Sequence, residues 1–351
     1  NKMLKIALES LGCSKNLVDA EIMMGILNKK GYKLVGDFEE ADIILVNTCG
    51  FIESAKQESI QTILELAQLK ETANLKLLIV TGCLAQRYAE ELKTEIPEID
   101  AIVGTGSYQQ IDEIIANLEK ENHIVSLNDI DFAYNEDLPR YVSTPDYMAY
   151  LKIGEGCDNK CTYCIIPYAR GGKVRSRDLE SIVSEVEKLV LNGYKEVVLT
   201  GIHVASYGKD VRDENINLLT VIKAINEING IERIRLSSVE PVLFTDEFVN
   251  EVSKMEKVCP HYHLSLQSGC DETLKRMNRR YTTKEYKEIV DRLRENIPNV
   301  AITTDVIVGF PGETNDEFNK TYEFLKEIEL SQMHVFKYSP RKGTPAATME
   351  N

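Results

Sequence analysis

The stretch MAYLKIGEGCDNKCTYC, residues 148–164, is a short apolar strand over 148–153 that runs straight into a loop carrying Cys157, Cys161 and Cys164. Three thiolates spaced C-x3-C-x2-C on one loop suit three irons of a cubane iron–sulfur cluster, whereas a closed cluster takes four Cys ligands. The fourth iron is then left open to bind another molecule. Zinc sites pair their Cys as C-x2-4-C and need a fourth ligand. No Cys or His follows closely behind Cys164, the next being His203. A zinc knuckle and an electron-carrying ferredoxin are the two other readings of the triplet.

Downstream of this loop, strand and helix patterns alternate. Strands are expected at 196–199, 233–236, 261–266, 301–308 and 333–338, and helices at 179–191, 218–227, 246–254, 284–294 and 314–327. With 148–153 this makes six βα units. Eight would close a barrel of the triosephosphate isomerase type, with active residues at the carboxyl ends of the strands. Six predict an open, partial (β/α)6 barrel, with the Cys157 loop at its active end. Other polar or turn groups fall at the same strand ends. They are His203 after Gly201-Ile202, Glu240 after Ser237-Ser238-Val239, Gln267 and Ser268 after Leu264-Ser265-Leu266, and Gly309-Phe310-Pro311-Gly312-Glu313. Cys259 and Cys270 lack partner spacing and read as ordinary thiols.

Upstream, βαβα order argues for a parallel, doubly wound sheet. Strands are expected at 3–8, 42–46, 76–80 and 101–103, and helices at 18–29, 53–69, 86–93 and 111–119. Cys13 follows the first strand in S-L-G-C-S-K-N, Cys49 the second in V-N-T-C-G-F, and Cys83 the third in V-T-G-C-L-A-Q. Ligands of such sheets bind at the carboxyl strand ends, so these three sulfurs are expected to converge on a second iron–sulfur cluster. Gly12, Gly50 and Gly82 flank them and permit close backbone approach. Three buried structural thiols are the alternative. Residues 121–148 read as a polar, acidic connector that includes Asn135-Glu136-Asp137-Leu138-Pro139-Arg140. The domain boundary is placed within it, giving domains 1–137 and 138–351.

The chain has 351 residues, of which 43% are apolar, enough for two cores. No apolar run reaches the roughly 18 residues of a membrane span. Asn1-Lys2 ahead of Met3 reads as a remnant before a start Met, not as a signal peptide. A cytoplasmic location is therefore expected, where eight Cys serve as metal ligands sooner than disulfides. Residues 1–150 hold 13 basic and 25 acidic side chains, a net of −12, and the rest hold 28 and 31, a net of −3. The first half is thus a poor surface for nucleic acid.

The C-x3-C-x2-C triplet is the signature of the radical S-adenosylmethionine (SAM) enzymes. Joined to three strand-edge Cys, it makes the whole chain resemble the methylthiotransferases of that superfamily. The resemblance implies two 4Fe–4S clusters, one on Cys13, Cys49 and Cys83 and one on Cys157, Cys161 and Cys164, with SAM chelated to the open iron of the latter. It implies that SAM is split by one electron, that the resulting deoxyadenosyl radical removes hydrogen from an unreactive carbon, and that a methylthio group replaces it. Tyr163, Glu240, Gln267, Gly309 and Gly312 are expected around SAM, with Glu240 on ribose hydroxyls and the glycines near adenine. Arg170 and His203 are expected at the substrate. A flavodoxin or ferredoxin is expected as reductant, and no membrane.

Two branches of the family are echoed. Residues 11–19, 47–56 and 148–156 are similar to the branch that modifies an aspartate of a small-subunit ribosomal protein. Pro167-Tyr168-Ala169-Arg170-Gly171 and residues 200–208, 261–269 and 334–344 are similar to the branch that modifies threonylcarbamoyl-adenosine beside the tRNA anticodon. The expectation is a chimera joined near residue 165. The barrel mouth comes from the second part, so tRNA is the expected substrate and the ribosomal protein its alternative. The family's small C-terminal TRAM domain is expected to begin about where Thr348-Met349-Glu350-Asn351 ends the sequence.

Overall fold

The structure is a computed structural model and describes residues 3–131 and 138–350. Asn1, Lys2 and Asn351 lie outside the described residues, as does the 132–137 part of the expected connector, with its Asn135-Glu136-Asp137. Two compact units are present. One is Asn1–Ser143 together with Ile166–Lys173, and the other is Thr144–Ile165 together with Val174–Asn351.

The first unit holds a sheet of β1 (Lys5–Ser10), β2 (Lys33–Leu34), β3 (Ile43–Thr48), β4 (Leu77–Gly82), β5 (Ala101–Val103) and β6 (Ile124–Ser126). Their order is β2-β1-β3-β4-β5-β6, and every pair is parallel. Helices on both faces require strands that are apolar on both sides, and all six residues of the central β3 are buried. Strand order reverses between β1 and β3, and in doubly wound sheets that switch point is where ligands bind. Four of the six strands are those the sequence predicts. The connector reading is corrected at residues 124–126, which add β6 to the sheet edge. β2 has only two residues, and β6, although as long as β5, is half-buried at the sheet edge within a polar stretch, where β5 is wholly apolar and buried.

The second unit holds β7 (Met148–Glu155), β8 (Arg175–Ser176), β9 (Glu196–Gly201), β10 (Arg233–Leu236), β11 (His261–His263), β12 (Ala301–Val308) and β13 (Gln332–Lys337). One sheet runs β10-β9-β7-β8 and the other β11-β12-β13. A parallel bridge between Val239 and Leu264 joins β10's end to β11's. The six parallel strands therefore form an arc in chain order, the partial (β/α)6 barrel expected. β8 pairs antiparallel with β7. After β11 and β12, capping boxes open the helices Thr283–Asn296 and Asn315–Ile328. The hydroxyls of Thr282 and Thr314 accept from the amides of Glu285 and Glu317, whose carboxylates accept in return.

Gly82 ends β4 at φ 94°, ψ −162°, a region nearly restricted to glycine. A Cβ there would lie 2.5 Å from the Thr48 carbonyl oxygen and 2.6 Å from Asn47 Oδ1. Gly82→Ala is expected to destabilise the first unit by about 3 kcal/mol through backbone strain and overpacking. A urea titration would show this as a lower unfolding midpoint, and an unchanged midpoint would refute it.

Candidate metal centres

β1, β3 and β4 are consecutive in the first unit's sheet, and each delivers one cysteine at its carboxyl end. Cys13 precedes the helix Ser14–Lys29, Cys49 follows Thr48, and Cys83 opens the helix Cys83–Arg87. Glycines allow the three turns to meet. A Cβ on Gly12, at φ +98°, would stand 3.0 Å from Cys49 Cβ and 3.4 Å from its Sγ. A Cβ on Gly50 would stand 3.2 Å from Leu84 Cα. Buried amides and hydroxyls pin the turns together. Asn16 Nδ2 donates to the Thr48 carbonyl at 2.8 Å, Asn47 Nδ2 to the Asn16 carbonyl at 2.6 Å, and Thr81 Oγ1 to Asn47 Oδ1 at 3.1 Å. The Ser59 hydroxyl accepts from the Cys49 amide and donates to its carbonyl. Burial pushes the Cys49 thiol up and Cys83 to about 11, and each is raised further by its neighbouring thiols. The close approach of Gly12 to Cys49, and of Cys83 Sγ to Asn16 Oδ1 at 3.8 Å, draws the three cysteine-bearing turns together.

Arg170 ends the short helix Ile166–Arg170 and belongs to this first unit. It is only 3% exposed. Its guanidinium donates to Asp19, to Asn16 Oδ1 and, from Nε at 3.4 Å, to Cys83 Sγ. The sequence reading places Arg170 at the substrate; the structure instead commits it to an internal carboxylate and to a thiol.

In the second unit, β7 feeds the cysteine loop. Thr162 holds that loop through its amide to the Met277 carbonyl (3.0 Å) and its hydroxyl to the Arg276 carbonyl (2.8 Å), and Ala346 donates back to the Thr162 carbonyl (2.8 Å). Tyr163 is buried, its ring edge-on to Phe310 at 6.4 Å, and its carbonyl accepts from Arg341 at 2.6 Å. Cys161 and Cys164 pack against the same Tyr163–Phe310 cluster. Burial raises the Cys157 thiol to about 11, with Cys161 and Glu240 adding to the rise.

Glu240 is placed beside this loop, held by Arg279 at 3.0 Å (Nη1–Oε1) and 3.1 Å (Nη2–Oε2). Arg279 also donates to Cys161 Sγ at 3.3 Å. Burial opposes the Arg279 charge, yet Tyr163, Tyr281, Glu240 and Cys161 hold its pKa well above the usual value. Gly309 (φ +72°) has open space where a Cβ would sit, and Gly312 (φ +77°) lies against Arg276. Gln267 is left-handed at φ 72° and bridges β12 by backbone, its amide to Asp305 and its carbonyl to Ile307, each 2.9 Å. His203 lies near the loop, 3.7 Å from Asp158 and 2.5 Å from Ser206 Oγ. Burial lowers its pKa, against the pull of Glu240 and Asp158.

The arrangement thus gathers Tyr163, Glu240, His203 and the Gly309 turn around the Cys157 loop and places Arg170 in the other site. Asn16, Asp19, Arg279 and Arg341 escaped the sequence reading, because each acts on a partner remote in sequence. Among the described residues no group of three or more His, Cys, Asp or Glu is spaced to hold a single metal ion. A cubane asks for something different, one thiolate on each of three irons, and both sets of three thiols with their glycine or aromatic walls fit it. No described helix is long and apolar enough to cross a membrane.

Comparison with known proteins bears on both units. Residues 5–104 match a family described as "Uncharacterized protein family UPF0004", and residues 151–325 match the Radical SAM superfamily. "Ribosomal protein uS12 methylthiotransferase RimO" of Clostridioides difficile (strain 630) is 56% identical over 349 residues, covering 99% of this chain and 78% of its own length. The protein of the same name from Geotalea uraniireducens (strain Rf4) is 48% identical, covering 98% and 77%. Both matches run through the join expected near residue 165, so no chimera is needed to explain the sequence. A solved radical SAM methyltransferase, TsrM from Kitasatospora setae with cobalamin and a 4Fe–4S cluster bound, shares the fold at a TM-score of 0.71. It is 14% identical, covering 98% of this chain and 77% of its own.

Cysteine reacts as its thiolate. In the metal-free chain, Cys83 and Cys157, raised from 9.0 to about 11, should alkylate slowly at neutral pH and faster up to about pH 11. Iodoacetamide labelling with peptide mass mapping reads each rate, and a plateau below pH 9 would contradict the burial.

Proposed function

Because the chain belongs to the radical SAM methylthiotransferases, we propose that it modifies ribosomal protein uS12, placing a methylthio group on an aspartate side chain. As a family member it is an enzyme that uses 4Fe–4S clusters and SAM. The observation that carries the substrate is the 56% identity to a uS12 methylthiotransferase along essentially the entire chain. That match includes the residues after 165 from which a tRNA substrate is expected, so it favours the ribosomal protein. A net charge of −15 suits a basic ribosomal partner. The enzyme then works where ribosomes are, in the cytoplasm.

The bound clusters and SAM supply the one-electron chemistry that activates an unreactive C–H bond and the methylthio group that replaces the hydrogen. The residues of the chain do the rest. Cys157, Cys161 and Cys164 would hold the cluster that takes SAM. Arg279, fixed by Glu240 against Cys161, is a buried cation where the SAM carboxylate arrives. Glu240 keeps lone pairs for ribose hydroxyls, Gly309 leaves space for the adenine face, and Tyr163 with Phe310 walls off water. Cys13, Cys49 and Cys83 would hold the second cluster, which would supply the sulfur.

Two experiments test this reading. Reduced, reconstituted enzyme is offered SAM with uS12 and tRNA together, and mass spectrometry should find the methylthio group on uS12. Modified tRNA beside unmodified uS12 would overturn the choice. Cys83→Ala should abolish methylthiolation while SAM is still cleaved. Separately, Arg279→Gln removes a charge-assisted hydrogen bond of about 1.5–3 kcal/mol, so SAM should bind roughly tenfold to a hundredfold more weakly. Unchanged SAM affinity would remove Arg279 from the site.

A further inference from the structure

Arg170 is a buried cation that the radical step does not use. Its three donor nitrogens are all engaged: Nη1 by Asp19, Nη2 by Asn16 and Nε by Cys83 Sγ at 3.4 Å. The anchors are themselves buried, Asn16 at 1% and Asp19 at 3% exposure. Asp19 and Asn16 sit on one helix, Ser14–Lys29, which begins just after Cys13. The Ala169 carbonyl accepts from Thr105 Oγ1 at 2.5 Å, which fixes the backbone that carries Arg170. A lysine would bring its charge and its three donors on one compact, flexible tip, whereas the planar guanidinium holds its donors in a rigid fork spread over the three acceptors.

We propose that Arg170 is a positioning residue for the cluster of the first unit, orienting Cys83 and setting that cluster's reduction potential through its N–H···S hydrogen bond. The proposal rests on the reading that Cys13, Cys49 and Cys83 hold that cluster. Hydrogen bonds to cluster sulfurs and nearby charge are among the factors that set such potentials. The N–H donor draws negative charge from the sulfur and eases reduction. Asp19 neutralises the guanidinium and limits that effect. Removing the donor and removing its counter-charge therefore move the potential in opposite directions, which a purely structural role would not do.

The test uses the full chain with Cys157, Cys161 and Cys164 changed to Ala, reconstituted without oxygen, so that one cluster of about four irons remains. EPR-monitored redox titration gives its midpoint. Arg170→Gln should make reduction at least tenfold less favourable, about 59 mV lower for one electron. Asp19→Asn should raise the midpoint. Arg170→Lys, with the charge but without the fork, should fall between Arg170→Gln and the parent. If Arg170→Gln fails to fold or to hold iron, Asp19→Asn decides, and a parental midpoint there overturns the proposal. A parent without iron overturns the cysteine reading and this proposal with it. A parent that holds iron, with midpoints unmoved in both variants, overturns the role of Arg170 alone.

Discussion

Gly12 and Gly50 sit at tight approaches, where a Cβ would fall 3.0 Å from Cys49 Cβ on the first and 3.2 Å from Leu84 Cα on the second, so a larger residue would press the neighbouring turn back by a few tenths of an ångström. This close approach is what turns three separate strand ends into one site. Parallel strands lie about 4.8 Å apart, and three in succession spread their ends over a width that suits a cubane better than a single ion. At Gly12 the backbone, at φ +98°, adds a second reason for glycine, because other side chains are strained there. The buried network of Asn16, Asn47, Thr48 and Thr81 then satisfies the polar backbone that such crowding exposes.

The two sulfur sites share a construction although their folds differ. In each, one arginine donates to one thiol and one carboxylate holds the arginine: Arg170 with Cys83 and Asp19, and Arg279 with Cys161 and Glu240. A lone buried guanidinium would be costly, and so would a lone buried carboxylate. Together they form a neutral couple that can present N–H groups to a sulfur without adding net charge. A cluster bound to three thiolates is anionic, so each site gains a donor aimed at its negative atoms.

Much of the scaffold was legible because its signals are local. β3, β4 and β12 are apolar runs of strand length bounded by turns. Cysteines placed just past strand ends revealed both triplets, since strand order and sheet type fix where a strand's carboxyl end lies. β2 is hidden because two residues carry no period, and β6 because its half-buried Ile-Val-Ser sits among polar residues, unlike the equally short but wholly apolar β5. Of the strand expected at 261–266, the regular part is His261–His263; Leu264 and Gln267 continue as isolated bridges, and Gln267 takes a left-handed conformation that no neighbouring residue announces. Arg170 meets Asp19 across 151 positions and Arg279 meets Glu240 across 39, and no local pattern encodes pairs so distant.

The same distance effect explains why the substrate was harder to read than the chemistry. The stretches that pointed toward tRNA are, in the structure, occupied with internal work. In Pro167-Tyr168-Ala169-Arg170-Gly171, the arginine binds Asp19 and Cys83. Within 261–269, the carbonyls of Leu264, Ser265 and Leu266 accept from the hydroxyls of Tyr286 and Tyr281. Within 334–344, Arg341 is buried against the carbonyl of Tyr163. In this chain such residues answer to internal packing and to the thiol sites, and they carry little information about what is modified. A likeness confined to them identifies the machine and leaves its cargo undetermined. Identity along the full length samples the surface as well as the scaffold, so it is the sounder guide to the partner.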